Sequence, residues 1–405
     1  MKTTIKIAWR NCWRNSLRSS IVIASIALGI WSSIFLMGFS TGLVEQRIEK
    51  MVNLEIGDIQ IHSTTYDVQS DILSTVQDLE TTENLLSYNP NVASYSSRFK
   101  TDAFALSPHG QQGVKLLGVN PADEMKVLNL AEHLEEGTFL DSKNTYPILV
   151  GKKLAKELHL KLNSKIQLNF TDTNANQITK NFKVCGIFYV GNDAFDGFTV
   201  FAPIKTIERL TGEHLIHEII VKTKNTDNLA SIATELQSNN PNNLIENWQK
   251  RYPEIAYGVD MMDTTMYILM SIIIAALLFG IVNTLVMSIL ERKKELGILM
   301  AIGISTWKLR MMIVFESLVY GLVGGPLGVF LGYVTIQYFG EKGLDLSGFG
   351  EGMEAFGYDP IIYVQIDPKY YLIYTSYILL ATFIGGFYPS RMATKLNPIE
   401  AIRSI

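Results

Sequence analysis

The sequence predicts an α-helical membrane protein with four transmembrane helices and a large α+β extracytoplasmic domain between the first and second spans. Three observations predict this class. Residues 19–44, 264–290, 317–340 and 370–390 contain no charged side chain, although 18% of the whole chain is charged. Each run exceeds the roughly 20 helical residues that cross a hydrocarbon core of about 30 Å. The basic residues cluster at alternate ends of these runs. Between the first two runs, residues 45–263 hold 20 basic and 29 acidic side chains, the composition of a water-facing domain.

Residues 1–18 form the first element, a basic helix. Lys2, Lys6, Arg10, Arg14 and Arg18 recur every fourth position, beside an apolar stripe of Ile5, Trp9, Cys12 or Trp13, and Leu17. Such a segment fits either a helix lying in the membrane interface with its indoles at headgroup depth or a plain basic flank that sets orientation, and the two are compatible. The span at 19–44 is longer than the apolar core of a secretory leader, and no small-residue cleavage pattern follows Val44, so it is read as a retained anchor.

Orientation follows the lysines and arginines. The segments 1–18, 291–310 and 391–405 are basic, whereas 341–369 holds two lysines and six acidic residues. The basic segments are assigned to the cytoplasm. That places both termini inside and residues 45–263 and 341–369 outside.

Within 45–263, GLVEQRIEKMVNLE continues the first span as a stalk. GDIQIHSTTY, VASYSSRFKTDAFAL, GVKLLGV, KIQLNF, NFKVCGIF, GFTVFAP and HEIIVKT alternate or cluster apolar residues as strands do. DILSTVQDLETTENLLSYNP, KKLAKELHL, IKTIERLTG and TDNLASIATELQSNN read as helices. The irregular alternation indicates an α+β region of two subdomains. Cys12 and Cys185 fall on opposite sides of the membrane, so no disulfide joins them.

The second span, 264–290, leads into the charged segment 291–310, ERKKELGILMAIGISTWKLR. Residues 311–340 form the third span, in which Gly324, Gly328 and Gly332 repeat on one face and favour close helix approach. Pro326 is expected to kink that helix, and Glu316 is read as snorkelling at the interface. The fourth span is 370–390.

Catalytic and metal chemistry is not indicated. Gly151-Lys152-Lys153 lacks the upstream glycine and following Ser/Thr of a phosphate-binding loop. His214, His217 and Glu218 do not match a zinc-protease spacing. Asp193 and Asp196 sit among Gly191, Asn192 and Gly197 and read as a turn. The spans hold no ladder of ionisable groups that would relay protons. With a basic inside and an acidic outer segment, a nucleic-acid partner is not indicated.

ERKKELGILMAIGISTWKLRMMIVFESLV after a long span, YPSRMATKLNPIEAIR after the last one, and AWRNCWRNSLR at the start resemble the FtsX-like permease family. GDIQIHSTTY, GVKLLGVNPADE, EGTFL, ILVGKKLAKELHLKLNSKIQL and CGIFYVGNDAFDGFTVFAP resemble the MacB-like core domain. Within it they look closest to the lipoprotein-releasing (LolC/LolE-type) transmembrane subunits. Asn163-Ser164 departs from the Gly-Asp common in that family. The resemblance implies a permease of a mechanotransmission-type bacterial ABC transporter in the inner membrane that extracts lipoproteins for outer-membrane targeting. It implies a cytoplasmic ATPase dimer, which carries the ATP and Mg, a second permease subunit, identical or homologous, and a periplasmic carrier. No cofactor or metal is expected on this chain.

By that resemblance residues 291–310 are the coupling helix. Arg292, Lys293, Lys294 and Glu295 offer charged contacts, Leu296, Ile298 and Leu299 an apolar anchor, and Gly297 a close approach. Phe35, Met37, Phe39, Met262, Met266 and Met270 are the candidates for a lipid-binding cavity, because flexible and aromatic apolar groups suit acyl chains. The alternatives are a MacB-like efflux or peptide-export permease and an FtsX-like regulator of a periplasmic cell-wall hydrolase. A membrane-anchored enzyme has no catalytic constellation to support it.

Overall fold

The structure is a computed structural model that describes residues 2–66, 72–140, 146–354 and 357–395. Side chains at 2–5, 259–260, 263, 351 and 354 are outside the description. Ile5 and Lys2 therefore lie outside it, as does the end of the C-terminal motif, 396–403. The chain divides into two compact units: Met1–Val44, Val259–Asp345 and Ile361–Ile405 form one, and Glu45–Gly258 with Leu346–Pro360 form the other.

Along the chain, α1 (Lys2–Arg14) precedes the long α2 (Ser16–Met51). A π turn at Val52–Ile56 closes α2, and Gly57, at φ 72°, releases the chain into β1 (Ile59–Ser63). Only glycine takes that angle without a Cβ penalty. Then follow α3 (Leu79–Tyr88), β2 (Val92–Ser107), β3 (Gly110–Val119), α4 (Pro121–Val127), β4 (Leu134–Gly137), β5 (Pro147–Gly151) and α5 (Lys152–Glu157). Next come β6 (Lys165–Thr171), β7 (Gln177–Phe188), α6 (Asp193–Phe198), β8 (Thr199–Pro203), α7 (Ile204–Thr211), β9 (Glu218–Thr223), α8 (Leu229–Asn239), β10 (Asn243–Asn247) and α9 (Trp248–Arg251). Among the described residues the later elements are α10 (Pro253–Glu291), α11 (Lys293–Ala301), α12 (Thr306–Lys342), α13 (Gly350–Glu354) and α14 (Lys369–Thr394), with a short strand pair β11 (Leu344–Asp345) and β12 (Ile361–Ile362).

In the α/β unit the expected two subdomains are two halves of a single ten-stranded sheet, ordered β10-β1-β9-β2-β3-β8-β5-β7-β4, with β6 on β2 and β7. The 16-residue β2 belongs to both halves. Residues Val92–Arg98 pair with β9, and Phe99–Ser107 pair with β3 on the other edge. Its alternation sends Phe99, Ala103 and Ala105 into one core with Val114, Leu116, Val200 and Ala202. The opposite face packs Leu117, Val119 and Phe201 against Leu54 of the stalk end. Ile59, Ile61, Ile219 and Leu236 form a further core.

Local departures from the sequence reading have local causes. The helix expected across 71–90 is confined to Leu79–Tyr88, with Asp78 at φ 48° at its start. The turn expected at 189–196 contains α6, capped by the Asn192 side chain, which accepts from the amides of Ala194 and Phe195. Asp196 is buried, accepts from the amides of Val190 and Gly191 at 3.1 Å, and is pushed up to about 6 by burial. Asn163 takes φ 67°, so a left-handed turn former stands where the family often has glycine. Residues Leu346–Pro360 group with the α/β unit, where Lys50 donates to Asp359 at 2.5 Å and Arg47 stacks on Tyr358.

His62 gives this unit a testable pH dependence. It is 1% exposed, its Nδ1 has no partner, and burial lowers its pKa to about 4. The folded state keeps the ring neutral while the unfolded chain protonates below about 6.5. His62 therefore contributes stability above that value and loses it as pH falls toward 4, by up to about 3 kcal/mol. Asp196, with a raised pKa, acts in the opposite sense between about 4 and 6. Denaturant melts of wild type and His62→Phe at pH 7 and pH 4.5 are expected to show a smaller acid loss in the variant. Equal acid losses would refute the assignment.

In the helical unit, α2, α10, α12 and α14 include, among the described residues, four stretches long and apolar enough to cross a membrane. The expected glycine face is realised. A Cβ on Gly324 would lie 2.8 Å from Ile26, on Gly328 2.6 Å from the Ala27 carbonyl oxygen, and on Gly332 2.8 Å from Ile34. Small residues thus seat α12 on α2. Pro326 is exposed on the outer side of α12, which continues unbroken through it from Thr306 to Lys342.

Candidate functional site

The charged segment folds as a short helix between two turns. The second long helix ends at Glu291, and Arg292, at φ −103° and ψ 17°, breaks the chain before α11. Gly303, at φ 90°, then turns it into α12. Leu296 is 2% exposed and packs on Ile289, Leu309, Met312, Ile313 and Ala393. Gly297 is buried beside it, while Leu299 is half-buried. Of the expected apolar anchor, Ile298 is the member that faces outward, at 44% exposure. Residues 301–308 are exposed throughout, and Ile302 and Trp307 stand out at 76% and 64%. The exposed apolar surface of this segment is therefore Ile298, Ile302, Ile304 and Trp307.

Glu291, Arg292 and Glu295 of this segment are engaged within the chain. Arg14 donates to both oxygens of Glu295, at 2.7 and 2.9 Å. Arg18 pairs in the same forked way with Glu291, at 2.5 and 2.7 Å. Arg14, at the end of α1, and Arg18, in the first turn of α2, thus strap the base of this segment. Arg292 bridges Glu295 and Glu316 at 3.3 and 3.4 Å. Lys293 is half-buried and Lys294 is exposed. Glu316 does not snorkel. It is 3% exposed, faces the bundle interior, and takes a bond from Ser288 at 3.5 Å, because Arg292 is close enough to neutralise it there. On α1, Ala8 and Cys12 turn inward, while Trp9, Trp13 and Leu17 are exposed. Burial pushes the Cys12 thiol up to about 12, so it is a packing group rather than a reactive one.

The candidate cavity residues are partly brought together. Met37 and Met270 are buried in one apolar cluster, and Met266 packs against it. Phe35 stacks between Trp31 and Phe39 and touches Phe339, with ring centroids 6.1–6.4 Å apart. Met262 is half-buried. The outer face of α10 is open instead: Met261, Ile268, Ile272 and Phe279 are 57–80% exposed. Sequence reasoning missed that face, because α10 is apolar on all sides and no periodicity marks one of them.

Two family descriptions match parts of the chain. The MacB-like periplasmic core domain matches residues 19–239, more than half the chain, and the FtsX-like permease C-terminal domain matches 267–398. The chain belongs to this family of ABC transporter permeases. The permease is 25% identical to the lipoprotein-releasing system transmembrane protein LolC of Xylella fastidiosa, over 94% of this chain and 92% of that one. It is 23% identical to the LolC of Neisseria meningitidis over the same shares. It is also 26% identical to the macrolide export ATP-binding/permease protein MacB of Escherichia coli, over 55% of this chain and 33% of that protein. The FtsX-like match contains α11, α12 and the part of α10 from residue 267, so the charged segment lies within it.

Proposed function

We propose that this permease is a non-catalytic subunit that releases lipoproteins from the bacterial inner membrane, driven by a separate cytoplasmic ATPase. One observation carries the reading: a short helix, rigidly seated by Leu296 and strapped by Arg14 and Arg18, presents Ile298, Ile302, Ile304 and Trp307 to solvent. Apolar groups held rigidly at a turn suit the cleft of a partner protein, since rigid presentation lowers the entropic cost of docking. Both termini and residues 291–310 lie in the cytoplasm, and the α/β unit lies in the periplasm. A second permease, identical or homologous, covers the open face of α10. The lipoprotein's acyl chains enter beside Phe35, Phe39, Met262 and Met266, where the two permeases meet. Full-length coverage of two LolC proteins supports release over macrolide export, since the MacB relative is matched over only a third of its length.

Ile302→Asp combined with Trp307→Ala is expected to leave the permease in the membrane and to reduce its co-purification with the ATPase at least tenfold. Gly297→Trp has the same effect from behind, by levering α11 off Leu309 and Ile313. Unchanged ATPase recovery and unchanged ATP hydrolysis in both variants would refute the docking assignment.

A further inference from the structure

At the centre of the α/β unit is a buried charge cluster that the sequence did not mark. Arg98 is 1% exposed, Glu124 0% and Glu218 2%. Arg98 Nε and Nη2 donate to Glu124, at 3.1 and 2.5 Å. Its Nη1 donates to Glu218 at 2.9 Å and to the backbone carbonyl of Glu55 at 3.3 Å. Lys100 Nζ completes Glu218 at 2.7 Å, and Ser96 completes Glu124 at 2.6 Å.

The three partners of Arg98 come from three parts of the unit. Glu218 opens β9, in the first half-sheet. Glu124 lies on α4, which follows β3 of the second. Glu55 ends the stalk that continues α2. Arg98 itself is the last β2 residue paired with β9, and Phe99 is the first paired with β3. The guanidinium therefore stands where the strand passes from one half-sheet to the other.

One side of the stalk end packs into the core through Leu54, and on the other a cleft of about 580 Å³, lined among others by Met51, Glu55, Arg98, Lys115, Phe198 and Tyr252, opens beside Arg98. Leu54 supplies apolar contact nearby, which is non-directional and permits sliding, and single hydrogen bonds, Asn192 to Glu55 at 2.7 Å and Lys222 to Asn53 at 2.6 Å, each leave the angle free. The fork of a guanidinium fixes distance and angle together.

We propose that Arg98 is the positioning residue that makes the stalk end and the two half-sheets move as one body, so that displacement of the stalk reaches the whole outer domain. The proposal rests on the reading of the stalk as a driven element. Charge alone does not fulfil the role. A lysine keeps the charge but cannot bind three partners in one plane, so Arg98→Lys separates positioning from neutralisation.

The test uses the full chain in nanodiscs. Cys12 and Cys185 are buried, so spin labels at exposed Asn174→Cys and Ala230→Cys report the two half-sheets, and Glu49→Cys with Ala230→Cys reports the stalk. Wild type is expected to give narrow distance distributions for both pairs. Arg98→Lys and Glu124→Gln are expected to widen at least one of them about twofold, with circular dichroism unchanged. In the complex with the co-purified ATPase, the same variants are expected to hydrolyse ATP within twofold of wild type while substrate release falls at least tenfold. Narrow distributions in both variants would overturn the proposal. So would loss of the fold in both, which would assign the cluster to stability alone. Failure of the transport reading shows separately, as absence of an ATPase from the wild-type preparation, and leaves the distance measurement intact.

Discussion

Arg292→Ala is expected to destabilise the helical unit by about 3–5 kcal/mol, the usual penalty for removing one partner of a buried pair. The effect is large because Glu316 is buried in α12 and its other bond, from Ser288 at 3.5 Å, is weak. Desolvation of a lone carboxylate is then uncompensated. Two further variants separate the pair from the bulk of its side chains. Glu316→Ala costs less, since Arg292 keeps Glu295 at 3.3 Å and is near the helix end. Arg292→Met with Glu316→Met recovers most of the loss, because an apolar pair of similar volume needs no desolvation. Thermal unfolding in detergent, read by intrinsic fluorescence, orders the four proteins. If Arg292→Ala melts with wild type, the pair contributes nothing to the lever's base. The surface straps are a contrast. Arg14–Glu295 is about half-exposed on both sides and is expected to be worth at most about 1 kcal/mol.

The second large effect belongs to the glycine face. Gly328→Ala places a Cβ 2.6 Å from the Ala27 carbonyl oxygen, 2.8 Å from Ile30 Cβ and 3.1 Å from the Ala27 Cα. These are mostly backbone atoms, which cannot rotate aside, so α12 must back away from α2. Overpacking of this kind costs about 1–3 kcal/mol for a methyl group and more for a larger side chain. Gly332→Ala meets only side-chain atoms of Ile34, Cγ2 at 2.8 Å, Cδ1 at 2.9 Å and Cβ at 3.0 Å, and no backbone oxygen, so a smaller loss is expected. Gly280, on α10, has nothing within 4 Å of the added atom. Gly280→Ala is expected to be neutral or stabilising by about 0.5–1 kcal/mol, through helix propensity. The order Gly328, Gly332, Gly280 is checked by unfolding in graded detergent mixtures. The reverse order, or equal losses, would refute the assigned helix contact.

How much of this was legible in the sequence depended on whether a feature repeats locally. The four apolar helices were legible because charge is absent over long runs. The glycine face was legible because Gly324, Gly328 and Gly332 keep a four-residue spacing that maps to one side of a helix. Strands such as Lys165–Thr171 and Glu218–Thr223 were legible from apolar alternation and clustering. Long-range pairings were not. Arg98 reads as one more cation in a strand, and only the folded sheet brings Glu124 and Glu218 to it. Glu316 read as an interfacial residue because its partner Arg292 lies 24 positions earlier, across a turn. Leu296 and Ile298 looked equivalent in sequence. The turn at Arg292 sends one into the bundle and the other outward, and no periodicity in a nine-residue helix decides that.

The central claim is that force enters at residues 291–310 on one side of the membrane and is delivered by the α/β unit on the other. Impermeant thiol labelling of Ile302→Cys and Asn174→Cys, in inverted and right-side-out inner-membrane vesicles, tests it most directly. Labelling of Ile302→Cys only in inverted vesicles, and of Asn174→Cys only in right-side-out ones, is the predicted result. Labelling of both from the same side would contradict the account.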